Sequence, residues 1–280
     1  MLDSLHLLLT YQCSGECPHC FVWAGPVGPT MTSVQVEAYI QAADDEGVES
    51  IAFEGGEPFL YYPALRHGVR YAQSRGMAAT VVTNGVWAIS KDEAVRWLNP
   101  MTELGSLGIA ISTDDYHGGS EEARRAENAA EAARALDLEP VFFRTPLENV
   151  MFRGRAAEEL VDDVPHACWE EFTECPHESL LDPARAHVDA CGYLQLCQGL
   201  CPGRLDQESL SELLDPDRLA AHPLIPLIDS DGPAGLVRDF ALPLRENYAD
   251  ACHLCYLARK HLRAEFPAYL GPGRVYGEVD

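Results

Sequence analysis

Short apolar runs alternate with segments of helical period through the first two-thirds of this chain. That alternation constrains the fold to βα units around a parallel sheet. Residues 5–10, 48–53, 77–83, 107–112 and 139–144 read as strands. Residues 32–45, 62–75, 90–98, 120–136 and, more weakly, 155–161 read as helices. Thr32 and Ser90 are placed as N-caps and Gly76 as a C-cap. In such architectures the polar residues at strand C-termini line the site. The first four strands here run into turns rich in Cys, Gly, Glu, Asn and Asp.

Composition narrows the function classes. The chain has 280 residues, enough for one large domain or two modest ones. No apolar run approaches the roughly 20 residues of a membrane span, and Met1-Leu2-Asp3-Ser4 lacks the basic start of a secretory signal. A cytoplasmic protein is expected, in which cysteines serve as ligands or catalysts rather than disulfides. With 20 Lys+Arg against 44 Asp+Glu, the chain repels polyanions. No nucleic-acid partner and no membrane partner are expected.

Three cysteines, Cys13, Cys17 and Cys20, fall within eight residues just after the first strand. On one loop they can converge on one metal centre. A cubane cluster usually takes four cysteines, so three leave one iron open. Spacing alone also leaves zinc open, with His19 as a fourth ligand. From about residue 166 the texture changes, and seven of the ten cysteines follow. Gly192 to Cys197 fits a hairpin whose second strand ends at a ligand. Cys252 and Cys255 form a CxxC at the start of a last helix, residues 251–266. Residues 206–232 and 233–244 read as connecting segments with short helices.

These segments together resemble the radical S-adenosylmethionine (radical SAM) superfamily. Cys13, Cys17, Cys20 and the following Phe21 match its CX3CX2C motif, and Gly55-Gly56-Glu57-Pro58 matches its GGEP motif. Thr83-Asn84-Gly85 and Ser112-Thr113-Asp114 match further recurrent segments, in order, each at a strand end. The resemblance spans about residues 5–145. It implies an α/β fold: a partial (β/α)6 barrel over residues 1–165, then a small cysteine-rich α+β extension over 166–280. It implies a [4Fe–4S] cluster on Cys13, Cys17 and Cys20, with S-adenosylmethionine (SAM) chelating the open iron. Gly55 and Gly56 would let backbone approach the SAM amine, and Glu57 would accept from that amine or orient the loop. Asn84, Ser112, Asp114 and Arg144 would contact SAM. Reductive cleavage of SAM would give a 5′-deoxyadenosyl radical that takes hydrogen from a substrate. An external one-electron reductant, of ferredoxin or flavodoxin type, would be the redox partner.

The C-terminal cysteines are similar to the Twitch form of the SPASM extension, which holds an auxiliary [4Fe–4S] cluster. That match makes Cys175, Cys197, Cys252 and Cys255 its ligands, with structural zinc as the alternative. Cys168, Cys191 and Cys201 are left over, and Cys191 or Cys201 could replace Cys175. His117, after the fourth strand, is a candidate for substrate contact or acid–base work. Trp23 and Trp87 either wall the site or pack in the core. A small-molecule substrate is slightly favoured over a ribosomal peptide, because no peptide-recognition segment precedes Cys13. A non-catalytic iron–sulfur or zinc protein is disfavoured, since an electron carrier needs no SAM pocket.

Overall fold

A computed structural model describes residues 2–278 except Leu104 and Leu244. The elements run β1 (Ser4–Thr10), α1 (Ser33–Asp45), β2 (Ser50–Gly55), α2 (Tyr62–Ser74), β3 (Ala78–Thr83), α3 (Lys91–Leu98), β4 (Leu107–Ser112), α4 (Ser120–Ala135), β5 (Val141–Phe143) and α5 (Ala156–Glu159). Then follow β6 (Ala167–Cys168), β7 (Arg185–Asp189), β8 (Tyr193–Gln195), β9 (Gly203–Arg204), α6 (Leu210–Leu213), α7 (Pro216–Ala220), α8 (Ile225–Asp239), β10 (Asn247–Tyr248) and α9 (Ala251–Leu262).

The caps follow from sequence chemistry. Thr32 accepts from Gln35 N, and Gln35 returns a bond to Thr32, which closes a capping box on α1. Ser90 caps α3 by accepting from Glu93 N. Gly119 caps α4, with Glu122 bonding back to Gly119 N.

One sheet organises the molecule, in the order β5-β4-β3-β2-β1-β7-β8-β9. Strands β1 to β5 are parallel and adjacent in chain order, as the alternation requires. The sixth parallel strand is β7, and it joins β1 rather than β5. The sheet therefore runs from the N-terminal part into the part after residue 166. Antiparallel β8 and β9 extend it. Leu5, Leu7 and Leu9 of β1 are fully buried. Leu7 pairs with Phe53, and Phe53 and Val36 of α1 both crowd Gly68 of α2, so this face carries the helices. His6, Leu8 and Thr10 point to the other face, toward the barrel interior.

The C-terminal part differs from expectation in one respect. Within residues 206–244, α8 is a 15-residue element, kinked at Gly232 (φ 60°) and Pro233. Leu244 lies outside the described residues.

Candidate functional site

The loop after β1 folds back on itself. Cys13 N donates to Gly25 O at 2.7 Å, and Gly25 N donates to Tyr11 O at 3.2 Å. Buried Arg155 ties the two limbs, donating to Cys17 O at 2.8 Å and Ala24 O at 2.7 Å. The segment before it comes close: a Cβ on Gly154 would lie 2.4 Å from Cys20 O. All ten cysteines are free. Three N–H groups aim at sulfur: Gly15 N at Cys13 (3.4 Å), Ala24 N at Cys20 (3.3 Å) and Asn84 Nδ2 at Cys13 (3.6 Å).

Cys13, Cys17 and Cys20 line a cavity of about 290 Å³ at the strand C-termini. The turns after β2, β3 and β4 complete it, through Gly55, Gly56, Asn84, Ser112, Asp114 and His117, with Phe21 beside Cys20. The glycines meet a nearer demand than a ligand: a Cβ on Gly56 would sit 2.0 Å from Gln12 O. Only glycine lets the β2 turn close on the cysteine loop.

Two expected SAM contacts are placed elsewhere. Arg144 is exposed and donates to Thr113 Oγ1 at 3.2 Å; the arginine that lines the cavity is Arg153. Strand β5 ends at exposed Phe143, which still borders the cavity, while Arg144 next to it turns the other way, to Thr113. Glu57 is fully buried behind the cavity. Its Oε1 accepts from Phe59 N (3.1 Å) and Thr83 Oγ1 (2.8 Å), and its Oε2 from Asn84 N (2.8 Å). Of the two roles expected for Glu57, this geometry serves orientation of the loop. Burial pushes its carboxyl up to about 7 despite these bonds.

His117 Nδ1 lies 2.7 Å from Asp114 Oδ1, and His19 Nε2 lies 3.5 Å from Asp114 Oδ2. Cys17, His19 and His117 bring one donor atom each within 4.8 Å of one another. Burial pushes the Cys13 thiol up to about 12, so a bare thiolate is costly there. The two tryptophans pack rather than wall the cavity. Trp87 stacks on Phe59 at 3.9 Å, and Trp23 Nε1 donates to Tyr256 OH.

A second cavity lies between β8, α8 and α9. Cys175, Cys197, Cys252 and Cys255 all line it, together with buried Arg153 and Arg259. Arg153 Nη1 lies 3.2 Å from Cys197 Sγ, and Arg259 Nη2 lies 3.8 Å from the same sulfur. Asp250 caps α9 by accepting from His253 N, which fixes the CxxC turn. The remaining cysteines are engaged elsewhere. Cys201 is buried and contacts Gly271 O, Cys168 contacts Glu170, and Cys191 sits at the β7–β8 turn. Neither Cys191 nor Cys201 takes the place of Cys175 in this cavity.

Residues 7–164 match the family model described as Radical SAM superfamily. The chain belongs to the radical SAM superfamily. Members use a [4Fe–4S] cluster and SAM, the cofactors of this radical SAM protein. It is 24% identical over 158 residues to the Bacillus subtilis (strain 168) protein named "Putative peptide biosynthesis protein YydG". That match covers 56% of this chain and 50% of the relative, so the chain spans about half the length of the curated relative it matches. The fold is similar to BtrN solved with AdoMet and 2-DOIA: TM-score 0.59, 14% identity, 83% of this chain and 89% of that one. It is also similar to anSMEcpe with bound AdoMet and the Cp18Cys peptide: TM-score 0.53, 13% identity, 94% and 96% covered. No helix among the described residues is long and apolar enough to cross a membrane.

Sequence reasoning missed three arginines of this radical SAM protein, Arg153, Arg155 and Arg259. Each is at least nine-tenths buried and reaches a cysteine sulfur or a carbonyl beside one. A signal was present in Arg153-Gly154-Arg155, two cations around a glycine in a chain short of cations.

Proposed function

We propose that the chain binds its [4Fe–4S] cluster on Cys13, Cys17 and Cys20, and SAM in the cavity formed with Gly55, Gly56, Asn84, Ser112 and Asp114, and that it modifies a peptide. The observation that carries the cofactor assignment is the convergence of the free cysteines and the β2, β3 and β4 turns on one cavity. The donor chemistry fits. The N–H groups aimed at Cys13 and Cys20 suit sulfurs that carry charge, and burial makes that charge costly without a metal. Among the described residues, neither cysteine set has three sulfurs within 4.8 Å of one another. A single zinc, with bonds of about 2.3 Å, draws tetrahedral sulfurs to about 3.8 Å. The wider sulfur spacing supports iron–sulfur over an all-sulfur zinc at both sites, with Cys175, Cys197, Cys252 and Cys255 as the proposed ligands of an auxiliary, Twitch-like cluster.

When bound, the cluster and SAM supply reductive SAM cleavage and a carbon radical that abstracts hydrogen. The chain's own residues hold and orient. Arg155 fixes both limbs of the cysteine loop, and Glu57 fixes the turns after β2 and β3 from behind. Asp114 orients His117 at the cavity, where it can contact substrate. Buried Arg153 and Arg259 put positive charge beside Cys197. A ferredoxin- or flavodoxin-type donor supplies the electron, in a cytoplasmic setting.

The relative named for peptide biosynthesis supports a peptide over the small molecule that the sequence slightly favoured. Exposed Phe142 and Phe143 agree with this, since Phe143 also lines the cavity and gives an extended substrate an apolar edge. The test is anaerobic reconstitution and reduction, then SAM with short peptides encoded beside the gene or with small polyols. Formation of 5′-deoxyadenosine that rises with a peptide and is lost in Cys13→Ala is expected. Turnover with polyols alone would return the substrate assignment to small molecules.

A further inference from the structure

One cluster of metal-type donors contains no cysteine and meets the cavity of Cys13, Cys17 and Cys20 only through Glu54. His6 on β1, Glu54 on β2 and His187 on β7 occupy three adjacent parallel strands. His6 pairs directly with His187, and Glu54 pairs with Leu8, two residues beyond His6, so all three point to the barrel interior. Glu54 Oε1 lies 3.4 Å from His6 Nδ1 and 3.1 Å from His187 Nε2. These separations match ligand atoms sharing one ion, since bonds of about 2.1 Å place neighbouring ligands about 3.0–3.4 Å apart.

With protonated imidazoles both contacts are ion pairs, but neither has hydrogen-bond geometry. His6 Nδ1 and Glu54 Oε1 are buried without any hydrogen-bond partner, an expensive state for two polar atoms. The other nitrogen of His6, Nε2, lies 3.2 Å from Ser4 Oγ. Donation there leaves the Nδ1 lone pair free, the arrangement in which a ligating histidine is held by an outer partner. Glu54 also lines the central cavity, immediately before Gly55.

We propose that His6, Glu54 and His187 bind one divalent ion of the zinc or iron(II) class in the wall of the central cavity. Two imidazoles and a carboxylate suit these ions. Three protein ligands leave positions for water or a substrate oxygen. The proposal stands whether the substrate is a peptide or a small molecule.

The test uses the full chain with its iron–sulfur sites reconstituted, so that the thiolates are occupied. After dialysis against zinc, about one zinc per chain beyond the iron is expected, with only nitrogen and oxygen neighbours in its X-ray absorption spectrum. Glu54→Gln and His187→Asn should weaken zinc binding at least about tenfold at unchanged iron content. Absence of retained zinc, sulfur in the zinc shell, or unchanged affinity in folded variants would overturn the site. Should a variant fail to fold, the wild-type spectrum and stoichiometry decide alone.

Discussion

Arg153 Nη1 lies 3.2 Å from Cys197 Sγ, while the Arg153 side chain also lines the cavity that holds Cys13, Cys17 and Cys20. One buried cation thus borders both cysteine sites, with its guanidinium 5.7 Å from the Phe21 ring centre. Replacing Arg153 by Met keeps the stem and removes the charge. The auxiliary cluster should then become harder to reduce, by on the order of 50 mV, or about 1 kcal/mol for one electron. Redox titration followed by low-temperature EPR reads the shift. An unchanged potential would separate Arg153 from the electronics of Cys197.

Arg155 has a different task. Its two bonds, to Cys17 O and Ala24 O, are the tie across the first cysteine loop. Arg155→Ala removes both charged bonds, leaving Cys17 O with Cys20 N alone and Ala24 O without its buried partner, and should cost about 2–3 kcal/mol. Iron at the first site should fall while iron at the second remains. Urea unfolding and iron analysis on the variant check both.

Glu57→Gln is nearly isosteric but exchanges one acceptor oxygen for a donor facing N–H or O–H groups. About 1–3 kcal/mol of stability should be lost. SAM binding should weaken several-fold, because Asn84 loses its anchor. Equilibrium binding of SAM at fixed iron content measures this, and an unchanged affinity would mean that Asn84 is held by other means.

Acid sensitivity should trace in part to His222, which is far from either cysteine set in its bonding. Its Nδ1 accepts from Leu224 N and Ile225 N, and its Nε2 faces Cys201 O. Burial lowers it to about 4, against about 6.5 when unfolded. A depressed folded value stabilises above pH 6.5 and is lost as pH falls toward 4, by at most about 3 kcal/mol. His222→Asn, which keeps an acceptor near Nδ1, should flatten the stability profile between pH 7 and 5. Urea titrations at several pH values make the comparison.

Much of this was legible in the sequence, for identifiable reasons. Strands β1 to β4 alternate with long amphipathic helices, so their ends, and the site residues on them, could be placed to within a residue or two. Gly55, Asn84, Ser112 and Asp114 reach the cavity because they end strands. Arg144 departs from that logic, since β5 is short and exposed and, of the residues at its exit, Phe143 and Thr145 face the cavity while Arg144 between them turns away. The cavity arginine comes instead from Arg153, on an irregular segment that periodicity cannot see. Helix α8 was read as connection because Gly232-Pro233 interrupts its pattern. The pairing of β7 with β1 was invisible, because alternation orders strands along the chain and says nothing of a partner about 180 residues away.

That pairing carries a consequence for how the protein is made. Ser4 of β1 meets Ser50 on one side and Arg185 on the other. At roughly 5–20 residues per second, the ribosome delivers β7 about 10–40 s after β1. Until then the strand that launches the cysteine loop has one open edge, and for most of that interval Arg155 has not emerged to clasp the loop. Three thiols therefore wait on an unfinished scaffold, and cluster delivery to the proposed ligands Cys13, Cys17 and Cys20 is expected to come only after β7 has been made rather than to seed the fold.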